Sequence, residues 1–241
     1  MICFNKEEMK KSLESMAKLM IKLKAEEIDK YLAAGDRLAA ARAAEELYRM
    51  IIQGGYIEGF GLASQLLTHW LNGDIPEDKE FELSSDVVKA IVSDDRQNQY
   101  ADDLSVGAQL SKNLCNRLDG KRDKDIFKFG PEGYEINTSP YFYAIGGFRL
   151  EFSGNLAGKT VNKETGCCEY KLDGLWTMTD KYDWHRDKDT PLFDKEGDDK
   201  SCVIIKDEWA LIVKEELKKA KDFKVKGSWR GTRSIQCCGK K

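Results

Sequence analysis

The first third of the chain repeats apolar residues at helical spacing. Met9, Leu13, Met16, Met20 and Leu23 recur at steps of three and four, and Ile28, Tyr31 and Leu32 prolong the stripe, which predicts a helix over 6–34. Gly35 suits the left-handed position that closes a helix, and Asp36 is a good N-cap for the next one. The next segment, 37–53, is rich in alanine and carries Leu47, Met50 and Ile51 on one side, so the two form an αα-hairpin with a short turn. Gly54-Gly55 predicts a break. A third apolar helix over 58–72 carries Phe60, Leu62, Leu66, Leu67, Trp70 and Leu71 and stops at Asn72-Gly73-Asp74 and Pro76. A polar loop over 74–84 and two less regular helices near 85–93 and 102–118 come next.

The character then changes. Residues 119–125 are a charged loop, and from 141 the apolar period becomes two. Phe142, Ala144, Gly146, Phe148, Leu150 and Phe152 alternate with Tyr141, Tyr143, Ile145, Gly147, Arg149 and Glu151, a strand pattern with one apolar face. Gly146-Gly147 within it points to a bulge or a close backbone approach. The stretch 154–166 is turn-rich, 167–184 reads as one or two strands broken near Asp173-Gly174, and 203–205 is a short strand. Asp207 caps a last helix with Trp209, Ile212, Val213, Leu217 and Ala220 on one face, and Phe223, Val225 and Trp229 mark a final strand. The expected class is α+β: a helical domain over 1–125, then a β-rich domain over 126–241 whose sheet is mostly antiparallel with the C-terminal helix packed on it.

The 241 residues are 41% hydrophobic and 34% charged, enough for a sizeable core beneath a charged surface. The formal charge of −3 gives no electrostatic reason to expect a nucleic-acid partner. No run of about 18 apolar residues is present, so no transmembrane segment is expected. The start, Met1-Ile2-Cys3-Phe4-Asn5, lacks the basic and apolar regions of a signal peptide, so synthesis in the cytoplasm without a cleaved leader is expected. The seven cysteines, with Cys167-Cys168 and Cys237-Cys238 adjacent in sequence, read as reduced thiols rather than a disulfide framework. Zinc held by Cys167, Cys168, Cys237 and Cys238 is the alternative, at a spacing unlike the usual pairs separated by two to four residues.

The densest group of reactive side chains is Asp180-Lys181-Tyr182-Asp183-Trp184-His185-Arg186. Carboxylates hold a divalent cation or take a proton, histidine titrates near neutrality, and arginine grips phosphate through two parallel hydrogen bonds. Together they suit hydrolysis of a phosphate ester, with Asp180 and Asp183 as ligands for a divalent metal such as Mg or Ca. On a regular strand Asp180, Tyr182 and Trp184 would share one face and Asp183 and His185 the other, so one active site needs a bend after Tyr182. The plainer reading is a strand end running into a solvated charged turn. His69 reads as a satisfied core or boundary histidine, and the carboxylates from Asp187 to Asp199 as a solvated loop. Arg230 and Arg233 fit either phosphate contact or an exposed strand end.

The order Asp-x-Tyr-Asp followed by His-Arg resembles the catalytic motif of colicin M-like bacteriocins, which cleave the lipid II precursor at its phosphate with a divalent metal. The resemblance implies catalytic roles for Asp180, Tyr182, Asp183, His185 and Arg186. In that family several residues separate the second Asp from the His-Arg pair, whereas here Trp184 alone does. A broader likeness to the C-terminal toxin regions of bacterial polymorphic toxins and secretion-system effectors spans 141–235. It runs through Tyr143–Phe148, Asp180–Trp184, Asp207–Ala210, Asp222-Phe223 and Gly227–Arg230, and Leu66–Gly73 is similar to their helical part. This likeness implies an antibacterial toxin or effector, exported by a dedicated secretion system to the envelope of a target cell. It also implies a lipid-linked substrate and a cognate immunity protein as partners. The competing expectation is a non-catalytic effector or binding module, with the aromatic strand Tyr141–Phe152 and the helical half as partner surface.

Overall fold

The computed structural model describes residues 6–57, 59–94, 105–136, 144–162, 165–184, 189–192 and 203–238. The chain is α+β, as expected, and folds as two compact units, each built from two separate stretches of chain. One comprises Met1–Pro76 and Asp183–Asp222, the other Glu77–Tyr182 and Phe223–Lys241, so the division does not fall at a single point near 125. Among the described residues no helix is long and apolar enough to cross a membrane.

In the helical unit, α1 (Lys6–Ala33) and α2 (Arg37–Ile57) form the expected hairpin. Gly35 takes φ +75°, and the Asp36 carboxylate accepts from the Ala39 amide at 3.0 Å, ending one helix and starting the next. The interface uses small residues: Ala40, Ala41, Ala43 and Ala44 of α2 are buried and let the helices approach closely. The covered side of α1 is Ile21 and Ile28, seven residues apart. Met16, Met20 and Leu23, expected on the buried stripe, are instead 57%, 54% and 55% exposed, with Leu19 at 56%. The side chains of Met9 and Leu13 lie outside those described.

The helix α2 does not break at Gly54-Gly55 but continues to Ile57. Gly55 serves proximity, since a Cβ there would collide with the Ser64 hydroxyl of α3 (Gly61–Asn72). Gly73 closes α3 in the left-handed conformation, as its sequence position predicts, against the Lys219 carbonyl. The stretch from 183 to 222 packs on this hairpin. It contributes the two-stranded pair β5 (Thr190–Leu192) and β6 (Val203–Ile205), then α6 (Asp207–Ile212) and a π-helical turn (Val213–Leu217). The helix α6 lies against α2 rather than on the large sheet. Trp70 is fully buried beside Tyr48 at 5.8 Å and Trp184 at 5.6 Å between ring centres, and its backbone carbonyl accepts from the Lys221 amide at 3.0 Å. Arg37 bonds both Glu215 and Glu216, at 2.6 and 2.7 Å.

The sheet unit holds β1 (Glu80–Leu83), α4 (Ser85–Val92), α5 (Val106–Leu118), β2 (Ile126–Glu135), β3 (Gly147–Val161), β4 (Cys167–Tyr182) and β7 (Phe223–Cys238). The strands run in the order β1-β7-β4-β3-β2, with β1 parallel to β7 and the other pairs antiparallel. Two expectations fail here. The strand β3 runs through much of the stretch read as turns, and β4 is unbroken at Asp173-Gly174. Gly154 and Gly174 are register partners, and a Cβ on either would lie 2.6 Å from the other's Cα. Bare backbone at this crossing leaves room for the Phe152 ring. Expected strand residues Tyr141, Phe142 and Tyr143 lie outside the described residues.

The covered face of the sheet is aromatic. Trp176 is fully buried, 4.5 Å from Phe152, 5.9 Å from Phe129 and 6.2 Å from Trp229 between ring centres. Two helices lie on this face: α4, whose Val88 meets Gly227 of β7, and α5, with Leu110, Leu114 and Leu118 buried. Phe148 and Phe152 are 4% and 1% exposed, so the strand face considered as a partner surface is filled core.

The cysteines depart from the reduced-thiol expectation. Cys115 of α5 is bonded to Cys237, and Cys167 to Cys238, while Cys168 remains a free thiol. Adjacent strand residues point to opposite faces, so Cys237 and Cys238 reach different partners and need not bond each other. Zinc held by the four adjacent-pair cysteines is thereby excluded, because three of them are in disulfides.

Candidate functional site

The strand β4 ends at Tyr182, so strict alternation governs Asp180 and Tyr182 and goes no further. Both point to the side that carries Trp176 and Met178. Asp180 is paired in register with Val225 and Tyr182 with Phe223. The half-buried Tyr182 ring stacks on Phe223 at 5.2 Å and 15°. Burial, with a smaller push from the Asp180 carboxylate, raises the phenol above its ordinary pKa. Tyr182 is therefore a neutral phenol at physiological pH, able to donate a hydrogen bond but not to act as a base.

Asp183 and Trp184 belong to the helical unit, where Trp184 packs between Tyr48 and Trp70. His185 and Arg186 lie outside the described residues. Of the five residues singled out, the structure thus brings Asp180 and Tyr182 together on one strand face and assigns Asp183 to the other unit.

A groove of about 930 Å³ lies at the ends of the four long strands of the sheet unit and counts Asp180 among its lining residues, although the Asp180 side chain stands on the Trp176 side of β4. Arg149, Lys181 and Lys224 line it from β3, β4 and β7, and Glu135 adds a second carboxylate from β2. The end of β2 is held by Gln109 of α5, whose amide donates to the Glu135 carbonyl at 2.6 Å and accepts from the Glu135 amide at 3.1 Å. Tyr134 is buried beneath the groove, and desolvation pushes its phenol up to about 12. Its hydroxyl donates to Glu132, which also pairs with Arg117.

Sequence reading placed Lys181 in the reactive cluster without giving it a role, and did not single out Arg149 or Lys224. Strand alternation does put each on a polar face, but their meeting depends on register, which no local pattern states. Other candidates fall elsewhere. Arg230 and Arg233 stand five and eight residues beyond Val225 on β7, roughly 16–26 Å from Asp180 at about 3.3 Å per residue. His69 bonds Asp74 at 2.7 Å at the end of α3, as a boundary histidine does.

The carboxylates on the groove are hard oxygen donors of the kind Mg or Ca takes. Among the described residues no group of three or more His, Cys, Asp or Glu side chains converges as a complete metal site. Comparison with protein-family models, with curated proteins and with solved structures finds no match to this chain.

Proposed function

We propose that the chain is an antibacterial toxin or effector that acts on the cell envelope by hydrolysing a lipid-linked phosphate such as lipid II. The observation that carries this reading is the groove at the strand ends, lined by the cations Arg149, Lys181 and Lys224 together with Glu135 and with Asp180 at the end of β4. A phosphoryl-transfer site needs that pairing: carboxylate oxygen for a divalent metal, and cations for phosphate oxygens. In this reading Asp180 is a ligand for the metal, which would offset charge on the phosphate, and Tyr182 donates a hydrogen bond. The two disulfides also support a site of action outside the cytoplasm, because such bonds persist where surroundings are oxidising.

Growth of bacteria expressing the chain in the periplasm and in the cytoplasm tests the proposal. Killing confined to the periplasm, and abolished by Asp180→Asn with the fold retained, is the expected result. Equal toxicity of Asp180→Asn sinks hydrolysis. It leaves the second reading, a non-catalytic binding effector, which the exposed stripe Met16, Leu19, Met20 and Leu23 on α1 favours.

A further inference from the structure

We propose that Cys237 is a switch point between two disulfides, bonded to Cys115 in one form and to Cys168 in the other, so that exchange unlatches α5 from the sheet. This stands apart from the hydrolysis reading, since nothing in it requires the groove to be catalytic.

The arrangement comes from register. The two adjacent pairs, Cys167-Cys168 and Cys237-Cys238, lie opposite one another at one end of the β4–β7 ladder, with Cys167 the partner of Cys238 and Cys168 the partner of Cys237. Successive strand residues alternate in face. Cys168 and Cys237 therefore share the face of the buried Tyr170 and Ile235, on which α5 lies, and Cys167 and Cys238 share the other. One rung is closed across the ladder by Cys167–Cys238, at a Cα separation of 4.1 Å. The neighbouring rung is open. Cys237 is bonded instead to Cys115 of α5, which leaves the Cys168 thiol directly opposite a disulfide sulfur. Direct partners on antiparallel strands stand roughly 4.5–5.5 Å apart at Cα, and a disulfide spans about 4.4–6.8 Å. Cys237 can therefore bond either sulfur with the strands in place.

The step is thiol–disulfide exchange. The Cys168 thiolate attacks the Cys237 sulfur, and a Cys168–Cys237 bond forms as the Cys115–Cys237 bond breaks. The electron pair leaves with the Cys115 sulfur, which takes up a proton in place of the one Cys168 gave to solvent. Each side holds one thiol and one disulfide, so no oxidant or reductant enters. Cys168 is half-buried rather than sealed in the core, which gives the attacking thiol access to solvent. Lys159 of β3 pairs with Tyr170, two residues along from Cys168, and stands over that ring at 5.0 Å, which puts a cation on the same face as the sulfurs. The Cys115 sulfur lies 3.6 Å from the Gln236 carbonyl, an acceptor for the released thiol.

The two forms differ in what they hold. Cys115–Cys237 closes a span of 122 residues, whereas a Cys168–Cys237 bond beside Cys167–Cys238 closes a loop of almost no length. The latched form is therefore the more stable against unfolding. Once α5 moves off the sheet, Cys115 leaves the neighbourhood of Cys237 while the ladder keeps Cys168 there, so exchange follows. The same helix carries Gln109, whose side chain holds both backbone groups of Glu135 at the groove end of β2. Unlatching thus loosens one wall of the groove.

The test uses the full chain carrying Cys3→Ser and Cys202→Ser, which removes the two cysteines outside the described residues. It is held near the ordinary thiol pKa, about pH 8.5, in urea below the unfolding midpoint. It is then alkylated, and its disulfides are mapped by mass spectrometry of unreduced peptides. Alkylation of Cys115 that grows with time, together with a Cys168–Cys237 peptide, is expected, and Cys168→Ser slows the Cys115 labelling about tenfold or more. Cys115→Ala, oxidised with glutathione disulfide, closes Cys168–Cys237, and the amides of α5 and of Glu135 then exchange with deuterium about tenfold faster. No labelling of Cys115, equal labelling in Cys168→Ser, or a Cys115→Ala chain in which Cys168 and Cys237 stay unbonded overturns the switch. Unchanged protection of α5 in the bonded Cys115→Ala chain overturns the latch.

Discussion

The two units cover their apolar surfaces by different means. The helical unit brings backbones together through alanine and glycine, at Ala40–Ala44, Gly55 and Gly73, and fills the remaining centre with Tyr48, Trp70 and Trp184. Its periphery is tied by ion pairs such as Arg37 with Glu215 and Glu216, and Lys219 with Glu45. The sheet unit stacks large rings on a hydrogen-bonded ladder and adds covalent links from Cys115 to Cys237 and from Cys167 to Cys238. A ladder fixes the distance between its strands, so a hole beneath it cannot close; helices in side-chain contact can slide together. The rigid unit is also the one whose strand ends carry the groove. Groups that must hold a fixed geometry gain from elements that do not relax.

Three measurements sharpen or break this contrast. The largest effect is expected from Trp176→Ala, which removes the ring at the centre of the sheet core and costs about 3–5 kcal/mol in denaturant unfolding. Trp70→Ala in the helical unit costs less, because its neighbours can move inward; a larger loss at Trp70 reverses the comparison. Next comes the double change Cys115→Ser with Cys237→Ser, which frees a span of 122 residues. A loss of about 2–5 kcal/mol is expected, seen by hydrogen exchange as faster opening of β7 and α5, with the hairpin of α1 and α2 unaffected. Uniform acceleration through both units would remove the distinction.

The smallest effect is on acid stability. Burial alone would raise the Glu45 pKa, but hydrogen bonds from Lys219 and Arg49 outweigh it and hold the carboxyl below its usual value. A depressed folded-state pKa contributes stability that is present above the unfolded-state value and is lost as pH falls through the folded one. The helical unit should therefore weaken on acidification below about pH 4–5. Glu45→Gln removes that part of the slope, and an unchanged slope shows that the ion pairs contribute nothing measurable.

Much of the fold was legible. The helices from Lys6 to Asn72, the caps at Gly35, Asp36 and Gly73, the strand at Val203–Ile205 and the start of α6 at Asp207 all follow from local pattern. The errors share one cause. Gly54-Gly55 and Asp173-Gly174 look like breaks because glycine is flexible, yet Gly55 and Gly174 serve close approach to Ser64 and to Gly154. Local sequence cannot tell a glycine chosen for its torsion from one chosen for its missing Cβ. At the candidate site, Asp180 was recognised by its company in the chain, whereas Arg149 and Lys224 come from strands 31 and 44 residues away.

Taken alone, the sequence determined the class, most elements and their caps, because those depend on spacing within a few residues. Tertiary structure decided the rest: that the stretch from Asp183 to Asp222 belongs with the first helices, that Met16 and Met20 face outward, which cysteines join, and which cations meet at the strand ends. Each is a pairing between distant segments. Such pairings depend on strand register and on competition among several apolar faces for one partner, and neither is recorded in local periodicity.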